Sequence, residues 1–323
     1  MTKFGYFLSC EEHDPKELLR QARLAEQHGF EGLWISDHYH PWVDAQGQSA
    51  FVWAVIGALS EATSLPVTTA VTCPIIRIHP SIIAQAAATA QVMLDGRFRL
   101  GLGTGEALNE HIHGDQWPPA SERRRMLEEA IEVIRRLWTG KLVSFRGEFY
   151  DVDTARLYTL PDKPPPIYIS GFGPKSTELA GRIGDGYIST APSSDMIQVF
   201  RAAGGQGKPT AAGFKVCWSE DAARARHNVH RLWPTNGIPG EASQLLPLPR
   251  HFEQLSQLVT EEAVADKIAC GPSADDHIAV IRQYVEAGYD EIYIQQVGPE
   301  QDGFFSFYAE KVLPRCRTTQ AVR

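Results

Sequence analysis

The strongest constraint on the fold is an alternation that runs the length of the chain. Short runs rich in β-branched and aromatic residues take turns with helical patterns. The expected strands are 4–9, 32–36, 67–73, 98–103, 166–170, 186–190, 214–218 and 290–297. The expected helices are 17–28, 51–62, 81–94, 122–138, 176–183, 195–203 and 222–233. Asp14-Pro15 and His79-Pro80-Ser81 mark helix starts, because proline in the first helical turn gives up no hydrogen bond. Strands separated by helices pair in parallel through right-handed crossovers, and eight of them close a barrel. The expected architecture is therefore an α/β fold, a (β/α)8 barrel spanning residues 1–323 as one domain. Two stretches interrupt the rhythm: 141–165, with a hairpin around Arg146-Gly147 and a proline-rich connector, and 234–259, rich in Pro and Gly. Both read as insertions over a barrel rim.

Composition narrows the function classes. With 43% hydrophobic and 22% charged residues the chain is an ordinary globular protein, and a formal charge of -8 disfavours nucleic acid or an anionic membrane as the main partner. Cys10, Cys73, Cys217, Cys270 and Cys316 form no C-x-x-C pair, which suits a reducing cytoplasm and signals neither a disulfide framework nor structural zinc. No apolar run of roughly 18 residues occurs, so a soluble protein is expected.

In such barrels the chemistry sits where strands run out into the βα-loops. After the second strand, Ser36-Asp37-His38-Tyr39-His40-Pro41-Trp42 concentrates a carboxylate, two imidazoles, a phenol and an indole; the bland reading is an aspartate-capped surface loop. After the fourth, Gly101-Leu102-Gly103-Thr104-Gly105-Glu106-Ala107-Leu108-Asn109-Glu110 lacks the G-x-G-x-x-G dinucleotide spacing. Its glycines let a flat ring lie against backbone with Glu106 at the edge, or they form a turn whose glutamate favours a helix start. After the fifth, Ser170-Gly171-Phe172-Gly173-Pro174-Lys175-Ser176-Thr177 opens a helix as an anion cradle suited to phosphate, or as a simple Ser/Thr cap. The pairs His38/His40 and His111/His113 raise a metal site, but the eighth strand ends in Gln295-Gln296 where a metallohydrolase would present aspartate, so no metal is expected.

Taken together, Phe4-Gly5-Tyr6-Phe7, the 36–42 block, the 101–110 block, and Ser170-Gly171-Phe172-Gly173-Pro174 with 180–186 resemble the bacterial luciferase-like superfamily. Within it they look like the F420-dependent glucose-6-phosphate dehydrogenase group, with the motifs in the same order from residue 1 to about 315. The resemblance implies a luciferase-like (β/α)8 barrel, a homodimer, and bound coenzyme F420, a deazaflavin hydride carrier with a phosphate and an oligoglutamate tail. It places Asp37, Thr72, Cys73, Gly105, Glu106, Asn109, Ser170, Gly171, Phe172, Gly173, Lys175 and Thr177 at the cofactor, with a non-proline cis bond expected near Thr72-Cys73. His38, Glu106 and Trp42 are implied as catalytic. Tyr39, Trp42, Thr190, Ser193 and Lys267 are the substrate-side candidates.

The implied reaction moves a hydride between a carbinol carbon and the deazaflavin C5. His38 is the expected general base, Asp37 orients it or meets the ring, and Glu106 serves the ring nitrogen, a role that calls for a carboxyl raised by burial. Trp42 and Tyr39 would exclude water. Glucose 6-phosphate leads as substrate, yet Ala191-Pro192-Ser193-Ser194 lacks a lysine that relatives carry, and Lys267 is an approximate replacement. An alcohol dehydrogenase, an alkene or imine reductase, an FMN-dependent monooxygenase and a non-catalytic binding protein remain the alternatives.

Overall fold

The computed structural model describes residues 2–321. Among them eight parallel strands close into a barrel: β1 (Lys3–Leu8), β2 (Leu33–Ile35), β3 (Val67–Thr69), β4 (Phe98–Leu102), β5 (Ile167–Ser170), β6 (Gly186–Ser189), β7 (Thr210–Cys217) and β8 (Glu291–Gln296). Each pairs with its neighbour in sequence, β6 pairs with β7, and β8 returns to β1 with Lys3 opposite Glu291. A short ninth parallel segment, Ala269–Cys270, lies beside the end of β7. The helices between strands are α1 (Pro15–Gln27), α2 (Val52–Ala62), α3 (Pro80–Met93), α4 (Ala120–Leu137), α5 (Pro174–Ile183), α6 (Ser194–Phe200), α7 (Ala222–Leu232) and α8 (Ala274–Ala287).

The interior is closed by aromatic rings set against glycine. Trp34 of β2 stacks on Tyr293 of β8 with centroids 4.4 Å apart. A Cβ on Gly213 would lie 2.5 Å from the Trp34 ring, and one on Gly5 would lie 2.3 Å from Tyr293, so the facing strands must be bare there. That explains why β7 begins four residues before the expected 214. Thr210-Ala211-Ala212-Gly213 is strand despite its small side chains, because large rings opposite fill the space.

The third strand also differs. Its regular part ends at Thr69, a cis peptide joins Ala70 to Val71, and the chain rejoins β4 by one bridge between Thr72 and Leu102. The expected cis bond therefore falls two residues before Thr72-Cys73.

The two interruptions behave differently. The hairpin Val143–Arg146 with Asp151–Ala155 is clamped to α4, where the carboxylate of Glu129 accepts the N–H groups of Glu148, Phe149 and Tyr150. It reaches the loop after β3 through Tyr150, whose hydroxyl donates to the Ile75 carbonyl. The second stretch folds over the barrel mouth through the helix Pro249–Ser256, whose Phe252 is fully buried edge-on to Trp42, 5.3 Å between centroids.

Candidate active site

The loops after β1, β2, β3 and β4 converge on one buried polar cluster. Asp37, at the exit of β2, is almost fully buried, and both carboxylate oxygens are spent: Oδ1 on Arg77 Nη2 at 2.7 Å and Oδ2 on the Thr72 hydroxyl at 2.7 Å. Arg77 lies in the loop after β3 and also faces Glu110, with Nε 3.5 Å from Oε1. The other Glu110 oxygen accepts the N–H groups of Ile76 and Arg77. Burial pushes the Glu110 carboxyl up, against the pull of Arg77. Asp37 and Thr72 thus anchor the loops beneath the mouth. Of the two roles expected for Asp37, the orienting of His38 is not seen, because Arg77 and Thr72 take both its oxygens.

His38 stands directly above this anchor. Its Nδ1 is 3.1 Å from Asn109 Nδ2 and 3.2 Å from the His40 carbonyl, and its Nε2 is 3.5 Å from Glu11 Oε1. The Trp42 ring walls one side, 5.2 Å between centroids. Glu11, in the loop after β1, is 3% exposed and takes hydrogen bonds from Ser9 at 2.9 Å and Ser36 at 2.6 Å. Burial alone would raise its carboxyl, but His38 and the two hydroxyls outweigh that and hold it below the ordinary value. A buried carboxylate 3.5 Å from an imidazole is an arrangement chemically able to pass a proton. Glu11 carries no motif in the sequence, lying between the first strand and the Asp14-Pro15 helix start.

Glu106 is half-buried, with Oε2 3.4 Å from Asn109 Nδ2, so one amide lies between His38 and Glu106. Cys73 and Gly105 are pressed together; a Cβ on Gly105 would lie 2.5 Å from the Cys73 sulfur, and Gly105 has φ +69°. Burial pushes the Cys73 thiol well up, so it is a neutral packing group. Tyr39 points outward at 51% exposure and touches His40 rather than covering the mouth. His40, His111 and His113 each engage a backbone carbonyl, and among the described residues no three His, Cys, Asp or Glu side chains are grouped to hold a metal.

On the other side of the mouth, Ser170 ends β5 and Gly171, Phe172 and Gly173 lead into α5. A Cβ on Gly171 would crowd Ser176 and Thr177 backbone at 2.8 Å, whereas one on Gly173 would meet no protein atom. Space in front of Gly173 is thus left open by the protein itself. Lys175 is exposed beside it in the first turn. Thr177 departs from expectation: it is fully buried, its hydroxyl lying by Tyr187 Oη and the Met196 sulfur, because its position in the helix turns it toward the core.

Two of the three substrate-side residues expected to hold a phosphate have other hydrogen-bond partners in the ligand-free chain. The Ser193 hydroxyl is used as the N-cap of α6, accepting the Met196 N–H. Lys267 is exposed and donates to the Asn236 carbonyl at 3.1 Å. Thr190 is exposed, and its carbonyl accepts the Tyr284 hydroxyl. A cation missed by the motif reading lies closer in. Lys215 of β7 faces inward, its ammonium 3.9 Å from the Trp233 ring centroid, with no ion pair among the described residues. Burial lowers its affinity for the proton, opposed by Glu11 and Glu12.

Comparison with known proteins places the whole chain among relatives. The chain is 37% identical to an F420-dependent glucose-6-phosphate dehydrogenase of Nakamurella multipartita, the match covering 98% of this chain and 96% of the relative. It is 35% identical to one of Microbacterium testaceum, over 98% and 97%. An F420-dependent secondary alcohol dehydrogenase solved with an F420-acetone adduct superposes with a TM-score of 0.89 at 33% identity, over 98% of this chain and 99% of that one. The luciferase-like monooxygenase model matches residues 2–291, and the chain belongs to that family.

Proposed function

We propose that the protein is an F420-dependent dehydrogenase acting on a CH–OH group. The observation that carries the reading is His38, held at the barrel mouth between Asn109 and the ionised Glu11 and walled by Trp42. Both named relatives and the solved neighbour support the cofactor.

The residues present fit the cofactor. The open approach to Gly173, the N-terminal end of α5 and Lys175 suit its phosphate, while Gly103 packs against Val71 and Gly105 against Cys73, letting those strand ends approach closely beside Glu106. Bound there, coenzyme F420 supplies a deazaflavin carbon that accepts or gives a hydride. The chain does the rest: His38 and Glu11 handle the hydroxyl proton, Glu106 holds a carboxyl toward the ring, and Trp42 backed by Phe252 excludes water.

For the substrate, glucose 6-phosphate leads because the relatives carry that name. A neutral alcohol is the second reading, favoured by the solved alcohol dehydrogenase neighbour and by the engagement of Ser193 as a helix cap and of Lys267 with the Asn236 carbonyl. Turnover of F420 with glucose 6-phosphate, other hexose phosphates, unphosphorylated sugars and secondary alcohols separates them. Reduction by none of these would sink the dehydrogenase reading.

We also infer a homodimer in the cytoplasm. Phe51, Ile82 and Met93 project from the α2–α3 face around a groove floored by Gly57, Ala86 and Ala90. Protrusions and groove on one face suit a second copy packed isologously. All five thiols are free, as a reducing compartment keeps them. Light scattering giving a single-chain mass would contradict the dimer.

A further inference from the structure

Asn109 is 2% exposed, and its amide has four neighbours that decide its orientation. On one side the Tyr39 and His40 N–H groups lie 2.9 and 3.2 Å from Oδ1. Both are donors, so the atom facing them is the carbonyl oxygen. The NH2 group must then face His38 Nδ1 at 3.1 Å and Glu106 Oε2 at 3.4 Å. An amide nitrogen has only protons to offer. His38 Nδ1 is therefore an acceptor, and a neutral His38 carries its proton on Nε2, directed toward Glu11 Oε1 at 3.5 Å.

We infer that Asn109 is a positioning residue that selects the Nε2–H tautomer of His38, and that its second amide proton ties this choice to Glu106. The competing tautomer has its own acceptor, the His40 carbonyl at 3.2 Å from Nδ1, so the selection is made by Asn109 and not by want of an alternative. In the Nδ1–H form two donors would face each other across 3.1 Å, and the amide would be left with Glu106 alone. The consequence for chemistry is definite. The Nε2 edge beside Glu11 and Trp42 rests as a donor, ready to give its proton to a carbonyl oxygen. To take a hydroxyl proton at Nε2, the ring must first pass its own proton to Glu11 or move to the Nδ1–H form.

This inference deepens the proposed site but does not depend on turnover, because the protonation of a histidine ring is measurable in the ligand-free protein. The experiment is 15N long-range correlation NMR of histidine-labelled protein at neutral to mildly alkaline pH, with His38 assigned by its absence in His38→Gln. The expected pattern has a bare Nδ1 and a protonated Nε2. Asn109→Asp keeps oxygens for the Tyr39 and His40 N–H groups but replaces the donor with an acceptor, and Nδ1 should become protonated.

A wild-type ring protonated on Nδ1 overturns the inference, as does an unchanged ring in a folded Asn109→Asp protein. If that variant does not fold, the wild-type spectrum alone decides. In an active enzyme, the acidic limb of the kcat/KM profile should also move up by about one pH unit or more in Asn109→Asp, since the introduced carboxylate favours imidazolium. An unmoved limb with the expected NMR pattern would count against His38 as the proton-handling group and leave the tautomer selection standing.

Discussion

Removing the Arg77 charge tests whether the anchor under His38 is a true buried ion cluster. The side chains of Arg77, Asp37 and Glu110 are 6%, 1% and 0% exposed, and Arg77 is the cation between the two carboxylates. Arg77→Met keeps most of the volume and strands both acids. Breaking a buried pair by deleting one partner costs about 3–5 kcal/mol. Scaling about 2.1 cal/mol/K per residue over 323 residues gives about 0.7 kcal/mol/K, hence a fall in melting temperature of about 4–7 °C. The pH dependence has a definite sign. Glu110 is already raised by burial and would be raised further without Arg77, so its protonated form fits the variant and its ionised form does not. Stability tied to a raised carboxyl is present at low pH and lost as pH rises through the folded value, so the deficit should be larger at pH 8 than at pH 5. Calorimetry of the ligand-free proteins at both pH values reads this directly. A deficit below about 1 kcal/mol, or one equal at the two pH values, would refute the buried-cluster argument.

His38→Ala should lower kcat by roughly 10²–10⁴-fold while leaving the F420 dissociation constant within a few-fold, as read by steady-state kinetics and fluorescence titration. Gly173→Val should weaken F420 binding by roughly tenfold or more by filling the open approach, and Lys175→Ala by only a few-fold because the lysine is exposed; a rise confined to substrate KM would place the cradle at the wrong ligand. Glu11, held below its ordinary value, contributes stability at neutral pH that is lost as pH falls through that lowered value, so Glu11→Gln should show a shallower acid limb in a stability-versus-pH series.

The barrel was legible because its signal is local: each strand is short, apolar and flanked by helix-forming stretches, and the closed barrel contains all eight. What the residues could not show is set by distant contacts. The start of β7 depends on Trp34 occupying the room left by Gly213, and the bend after Thr69 on backbone geometry that no side chain marks. The helix Ala274–Ala287 is readable in principle, since Ser273 caps it and His277, Ile278, Ile281 and Tyr284 share its buried face. At the site, the loops were legible and the partnerships were not. Asp37 sits next to His38 in sequence yet pairs with Arg77, while Asn109 and Glu11, far away in sequence, hold the imidazole. Thr190, Ser193 and Lys267 have suitable chemistry, but a helix cap and a backbone carbonyl claim the last two.

The most direct test of the central claim is titration of coenzyme F420 with the purified protein, followed by its intrinsic fluorescence. The account predicts saturable quenching or a spectral shift at micromolar or lower concentration, weakened in Gly173→Val and retained in His38→Ala. No change at saturating protein, with FMN binding in its place, would contradict it.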